Sequence, residues 1–398
     1  NDAVAMTGGQ PLDGTLTVPQ LTRQLAAEDV KRIIVMSDGP EKYAGVRDFA
    51  PGVEIRHRDK LEATQIELRE TPGVTALIYD QTCAAEKRRR RKRGLFPDPA
   101  VRVFINEMVC EGCGDCSIKS NCLAVIPVET EFGRKRAIDQ SSCNKDYSCV
   151  AGFCPSIVTV HGGTLRRGRA LQSAATDFAD LPEPAPASLA KPFGILITGV
   201  GGTGVVTIGA LLGMAAHLEG KGITVLDMTG LAQKGGAVMS HVRIAEQQSQ
   251  LHSVRIATGE AMLLLGCDIV VAVSDDALSK TTVGITQAVV NTAQTITGEF
   301  MRNPDRAFPE GAMEQSVIDA VGADAATFID ASRLAARLMG NSIATNIFML
   351  GYAFQRGFIP LSSAALLRAI ELNGATVEEN RRAFSWGRRT VLDPTEVE

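Results

Sequence analysis

The chain has 398 residues, 45% of them apolar and 22% charged, with a formal net charge of −4. That length supports two or three compact units, and so small a net charge selects no class of partner. No apolar run reaches the ~18 residues of a spanning helix, and no charged stretch precedes a short apolar one at the start, so neither a membrane span nor a secretory signal is expected.

A cytoplasmic setting is therefore expected, in which clustered cysteines point to metal or redox chemistry rather than to disulfides. The chain opens "NDAVAMTGGQ" inside a turn-rich loop without an initiator Met and ends as abruptly in "FSWGRRTVLDPTEVE", which reads as a fragment of a longer polypeptide. In the opening loop an Asn side chain and a backbone carbonyl two residues on could fill two corners of an octahedral Mg²⁺, and a Thr-Gly-Gly turn lets the chain pass close to a cofactor. Taken alone, a plain surface loop is the simpler reading.

Residues 18–28 are helical in pattern, and "VKRIIVMSD" (30–38) and "VTALIYD" (74–80) are short β-branched runs that fit buried strands, the tail of an α/β unit. A basic run, Lys87 to Arg93, follows. It lacks the interleaved aromatics of base stacking, so a solvated linker or a docking patch for an acidic partner is expected rather than a nucleic-acid site. Residues 100–163 hold a cysteine segment, and "DLPEPAPASLAKP" (180–192) reads as a Pro/Ala-rich linker. A second α/β unit follows. "FGILITGVGGTGVVTIGALLGMAAHL" reads as strand, glycine turn and helix, and "GITVLDM", "CDIVVAVSD" and "ATFIDA" as further strands. Such alternation implies a largely parallel sheet. No internal repeat is visible.

Seven of the nine cysteines lie between residues 110 and 154. Cys110, Cys113 and Cys116, spaced C-x2-C-x2-C on a glycine-kinked loop, can wrap three corners of a [4Fe-4S] cube, with Cys154, which precedes Pro155, as the distant fourth. Zinc would prefer two separated C-x2-C pairs. Cys122, Cys143 and Cys149 form no second regular run. They could hold another cluster only with a non-cysteine ligand or with Cys83, so one cluster is expected and a second is open.

Gly199, Gly201 and Gly204 in "GVGGTG", which also contains Gly202, satisfy G-x-G-x-x-G between a strand and a helix, and Asp227 ends the next strand. That is the context of a dinucleotide site, with amides on a pyrophosphate and an acid on the ribose. A glycine turn that merely lets helix and strand pack closely fits as well. "GLAQKGGAVMSHVRI" (230–244), with Lys234 and His241, suits an anion site or an interface.

Together, "NDAVAMTGGQP", "CAAEKRRRRKRG", "CEGCGDCSIKSNC", "SSCNKDYSCVAGFCPS", "GVGGTGVVTIGALLG", "GLAQKGGAVMSHVRIA" and "NSIATNIFMLGYAFQRG" carry a resemblance over essentially the whole length to the fused indolepyruvate ferredoxin oxidoreductases, a branch of the 2-oxoacid:ferredoxin oxidoreductases. The resemblance implies that residues 1–95 are the C-terminal part of a thiamine diphosphate-binding α/β domain, with Asn1 as side-chain and Ala3 as backbone ligand of Mg²⁺ and with Met6, Thr7 and Gly8 near the cofactor. It implies that 100–163 form a ferredoxin-like iron–sulfur segment. Residues 193–380 would be a γ-type three-layer α/β/α domain and 381–398 the start of a further segment. It turns the glycine loop from nicotinamide toward coenzyme A or a neighbouring catalytic domain. The implied activity is oxidative decarboxylation of an aryl-pyruvate to an acyl-coenzyme A and CO2, with electrons passing through the cluster to ferredoxin in a homo-oligomer that needs neither nucleic acid nor membrane. The fragment alone is expected to be inactive, and the catalytic residues are not assigned. An NAD(P)-linked iron–sulfur reductase and a non-catalytic electron-transfer subunit are the alternatives.

Overall fold

A computed structural model describes residues 14, 16–92, 94–122, 124–140, 142–163, 178, 181–229, 236–295, 303, 306–340 and 342–397. The chain divides into two compact units, Asn1–Asp98 and Pro99–Glu398.

In the first unit helix α1 (Val18–Ala27) starts at a capping box, in which the Gln20 N–H donates to Thr17 Oγ1 and the Thr17 N–H to Gln20 Oε1. This satisfies two of the amides that every helix start leaves unpaired. Strand β1 (Arg32–Ser37) runs parallel between β2 (Glu54–His57) and β3 (Thr75–Asp80). Its central position explains the continuous apolar run Ile33–Met36, which is buried and packs against helix α2 (Leu61–Glu70) through Leu68. The basic run is not a loose linker but part of helix α3 (Ala84–Lys92). Three of its charges are engaged within the unit. Lys87 Nζ lies 3.0 Å from Asp38, Arg90 Nε is 2.9 Å from Glu86, and Arg91 Nε donates to the Pro97 carbonyl at 3.0 Å.

The second unit begins with four short strands, β4 (Val101–Ile105), β5 (Val125–Thr130), β6 (Gly133–Ile138) and β7 (Ile157–His161), and a one-and-a-half-turn helix α4 (Asp115–Ser120). β4 pairs antiparallel with β7, and β5 with β6. The two halves, 101–130 and 133–161, repeat one another. The Asn106 N–H donates to the Ser156 carbonyl and the Asp139 N–H to the Ala124 carbonyl, both at 2.8 Å; Val109 N–H to Asn106 O is matched by Ser142 N–H to Asp139 O. Ile105 and Val125 meet Ile138 and Ile157 in one small core. The sequence shows no repeat because what recurs is spacing and backbone form, while the side chains differ.

A six-stranded sheet follows, in the order β13-β12-β11-β8-β10-β9. Its strands are β8 (Phe193–Val200), β9 (Gly222–Thr229), β10 (Ala237–Ala245), β11 (Leu263–Gly266), β12 (Gln287–Asn291) and β13 (Ala326–Ile329). The sheet is parallel apart from β10, which is antiparallel to β8 and to β9. Helix α5 (Val205–Leu218), α9 (Ala331–Met339), α10 (Thr345–Gln355), α11 (Ser363–Asn373) and α12 (Val377–Leu392) cover one face. The short α6 (Ile269–Ala272) and α7 (Asp275–Leu278) with α8 (Glu310–Val321) cover the other. Helices α10 and α12 cross at glycines: a Cβ at Gly351 or at Gly387 would stand 2.0 Å from the carbonyl oxygen of Phe384 or Phe348. The chain ends in α13 (Pro394–Val397).

Two further expectations are corrected. "CDIVVAVSD" is not a strand: Asp268 accepts the Val271 N–H at 3.0 Å and so caps α6, while the strand is the preceding "LLLG". A cap thus overrides β-branched propensity. The Pro/Ala-rich segment is not a free linker in its described part. Arg388, on α12 and buried, donates to the Leu181 and Pro182 carbonyls and to Glu183 at 3.0–3.1 Å, and Gln355 donates to the Pro182 carbonyl at 2.9 Å. Leu189 enters the core.

Candidate functional site

The cysteine loops lie at corresponding ends of the two halves. Cys110 ends a turn whose amide donates to the Asn106 carbonyl at 2.9 Å, and the Gly112 N–H points back at Cys110 Sγ, 3.4 Å away. Strand β6 clamps this loop from outside. A Cβ on Gly112 would meet the Arg134 carbonyl oxygen at 2.1 Å, so only glycine fits. Lys135 Nζ donates to the Cys110 carbonyl at 2.6 Å, and the wholly buried Arg136 is among the charges felt by Cys116. Sequence reasoning missed "RKR" of β6. Its signal is three adjacent cations on a strand that follows the cysteines by fewer than twenty residues.

The thiols fall into two groups. Burial pushes the Cys116 thiol up, and Cys110 and Cys113 push in the same direction while Arg136 opposes. Burial likewise raises Cys143, with Cys122 adding to it, and lifts Cys149 to about 11, with Cys143 and Cys122 as the next causes. The structure therefore brings together Cys110, Cys113 and Cys116, and separately Cys122, Cys143 and Cys149. Cys154 precedes the Pro155-Ser156 turn that is bonded to the base of the first loop at Asn106, and its Sγ is 3.0 Å from Ser156 Oγ. Cys83 belongs to the first unit.

Among the described residues no three His, Cys, Asp or Glu side chains converge closely enough to hold a single ion. Four thiolates on one Zn²⁺ at ~2.3 Å require sulfurs about 3.8 Å apart, whereas each thiolate of a four-iron cube meets its own iron. Two wider groups of thiols, most of them partly buried, a backbone amide aimed at a sulfur in each loop and a buried guanidinium beside one of them fit an anionic cluster better than a single ion.

At the glycine loop, Gly202 and Gly204 have φ of +87° and +101°, and Gly204 starts α5 with no side-chain cap. The Gly201 N–H donates to the Gly236 carbonyl at 2.8 Å, and Asn346 Nδ2 to the Thr203 carbonyl at 3.1 Å, which ties the loop to α10. A Cβ on Gly199 would meet Val205 at 2.6 Å, so that glycine serves close packing of helix and strand. Asp227 is not poised over the loop. β10 lies between β8 and β9, and Asp227 pairs in register with Ser240. A dinucleotide site needs its ribose acid on the parallel strand next to the loop. His241 faces the protein interior in β10 rather than lining an anion site. Asn1, Ala3, Met6, Thr7, Gly8 and Lys234 lie outside the described residues.

A family model described as "Pyruvate ferredoxin/flavodoxin oxidoreductase" matches residues 194–390. The chain is 29% identical over 200 residues to "Indolepyruvate oxidoreductase subunit IorB" of Thermococcus kodakarensis, a match covering 50% of this chain and 95% of that protein. It is 27% identical over 197 residues to the subunit of the same name from Methanothermobacter thermautotrophicus, covering 49% and 95%. The corresponding Pyrococcus horikoshii subunit is 28% identical over 199 residues, covering 50% and 95%.

Proposed function

We propose that the chain, whose residues 194–390 match the pyruvate ferredoxin/flavodoxin oxidoreductase family model, is part of an oxidoreductase that oxidatively decarboxylates aryl-pyruvates such as indolepyruvate. The products would be CO2 and an acyl-coenzyme A, with ferredoxin as electron acceptor. The observation that carries the electron-transfer part is the Cys110–Cys116 loop, held by β6 against the Cys154 turn. An iron–sulfur cluster held there would pass electrons one at a time. Cys110, Cys113, Cys116 and Cys154 would bind it. The Gly112 amide would donate to Cys110 Sγ, and Arg136 would offset part of its negative charge from a buried position.

The substrate assignment is supported by the indolepyruvate oxidoreductase subunits among the relatives. The thiamine and Mg²⁺ assignments, through Asn1 and Ala3, rest on the resemblance of the opening loop. Coenzyme A at the Gly199–Gly204 loop is supported by a helix start that carries no side-chain cap. In the intact polypeptide, an aryl-pyruvate should drive coenzyme A-dependent reduction of ferredoxin or a viologen dye, and Cys110→Ser should stop that reduction. Faster turnover with pyruvate than with any aryl-pyruvate would overturn the substrate assignment. Unchanged dye reduction in the Cys110 variant would overturn the electron path.

A further inference from the structure

The second cysteine loop carries three thiols and, where a fourth sulfur is wanted, a carboxylate. Counted from its first cysteine, the first loop is Cys110-x2-Cys113-x2-Cys116 and the second is Cys143-x2-Asp146-x2-Cys149. We propose that Asp146 is the fourth ligand of a second cluster held by Cys122, Cys143 and Cys149, its carboxylate standing where the Cys113 thiolate stands in the first loop. The inference rests on the iron–sulfur reading of this segment.

The backbone makes the correspondence physical rather than a matter of counting. Gly112 and Gly114, two and four residues after Cys110, are left-handed with φ of +74° and +78°. Two and four residues after Cys143 stand Lys145 and Tyr147, left-handed as well, with φ of +55° and +60°. Neither residue adopts that region cheaply, the cost being about 1–2 kcal/mol each, and such strain persists where the surroundings over-determine the conformation. The hydrogen bonds agree. The Gly112 N–H to Cys110 Sγ and the Lys145 N–H to Cys143 Sγ are both 3.4 Å, and Ser117 N–H to Gly114 O at 2.9 Å is matched by Val150 N–H to Tyr147 O at 3.0 Å. The distant cysteines correspond too: Val125 N–H to Cys122 O is matched by Ile157 N–H to Cys154 O. Thus Cys122 serves the second loop as Cys154 serves the first.

Asp146 is exposed at its loop tip, as Cys113 is. It is near enough to Cys143 and Cys149 to act on both thiols electrostatically. Its Oδ1 accepts the Ser148 N–H at 3.2 Å, which orients the carboxylate and leaves Oδ2 to bind metal. Oxygen is a harder ligand than thiolate, so the iron at that corner is the one most readily lost. On oxidation one ferrous ion leaves and one electron passes to the oxidant, ferricyanide, so that the remaining three irons are all ferric.

The test uses the full chain reconstituted anaerobically with iron and sulfide, with iron analysis and electron paramagnetic resonance before and after ferricyanide. Wild type should hold about eight irons in two cubes and release about one on oxidation, with the signal of a three-iron cluster. Asp146→Cys should retain the full complement without that signal, and Asp146→Ala should hold about seven irons before any oxidant is added. The proposal is overturned if Asp146→Cys releases iron as wild type does. It is equally overturned if wild type holds a single cube and the Asp146 variants are indistinguishable from it, a result that leaves the first-loop cluster standing. Absence of iron and sulfide from every form would instead overturn the iron–sulfur reading itself.

Discussion

His241 sits in β10 with no solvent exposure, its Nδ1 accepting the Ile256 N–H at 3.2 Å. That bond places the ring proton on Nε2, which finds no partner among the described residues. Burial pushes its pKa down. Arg255 and Lys280 act in the same direction and Asp276 against them, although Asp276 is also within ion-pair distance of both cations. The folded value lies below the ordinary ~6.5, so the unfolded chain takes up the proton first. The contribution of this residue is complete above about pH 6.5 and is lost as pH falls through that value, by up to about 1.4 kcal/mol per pH unit. Denaturation midpoints of wild type and His241→Gln should diverge above pH 7 and converge toward pH 5.5. Parallel curves would show that the imidazole does not titrate with unfolding.

Among the elements, the segment 181–189 illustrates how a proline-rich stretch becomes structure. Arg388 serves four acceptors: the Leu181 and Pro182 carbonyls, Glu183, and Gln355 Oε1 through its Nε at 2.8 Å. Its guanidinium also lies 5.0 Å from the centre of the Phe354 ring. Only a planar, multi-donor cation does this at a buried position, and burial holds its pKa below the usual guanidinium range. Arg388→Met should cost about 2 kcal/mol, the scale for leaving buried acceptors without their donor. It should also expose residues 181–189 to limited proteolysis, and Arg388→Lys should not restore protection. An unchanged proteolytic pattern in Arg388→Met would mean that the strap is held by Leu189 and its apolar neighbours alone.

For the whole molecule, the consequence of sheet order is that the chain contains a dinucleotide fingerprint without a dinucleotide fold. The antiparallel β10 sits where the acid-bearing strand would have to lie. Titration with NADH or NADPH, followed by nucleotide fluorescence, should give no saturable change. Micromolar binding abolished by Gly201→Val would restore the reductase alternative. The Pro99–Glu398 unit joins the cysteine segment and the large sheet in one body, and Arg134 of β6 donates to the Arg306 carbonyl at 2.8 Å. The strand that clamps the first cysteine loop thus also touches the domain matched by the family.

The sequence alone determined the spacing of the first cysteine loop and buried strands such as β1, because both are local. Cys110-x2-Cys113-x2-Cys116 needs only a short loop to converge, and a run such as Ile33–Met36 is legible because a central parallel strand is apolar on both faces. Its long motifs also sufficed for the family resemblance. Tertiary structure decided what depends on partners far along the chain: that Asp227 is one strand too far from the glycine loop, that Arg136 is buried near Cys116, and that the Pro/Ala stretch is fastened by a residue some 200 positions later. The repeat that aligns Asp146 with Cys113 belongs to the same class. Left-handed backbone is announced in the first loop by Gly112 and Gly114, but in the second it falls on Lys145 and Tyr147. Those side chains carry no such signal, so only the folded chain reveals that the two loops are one shape.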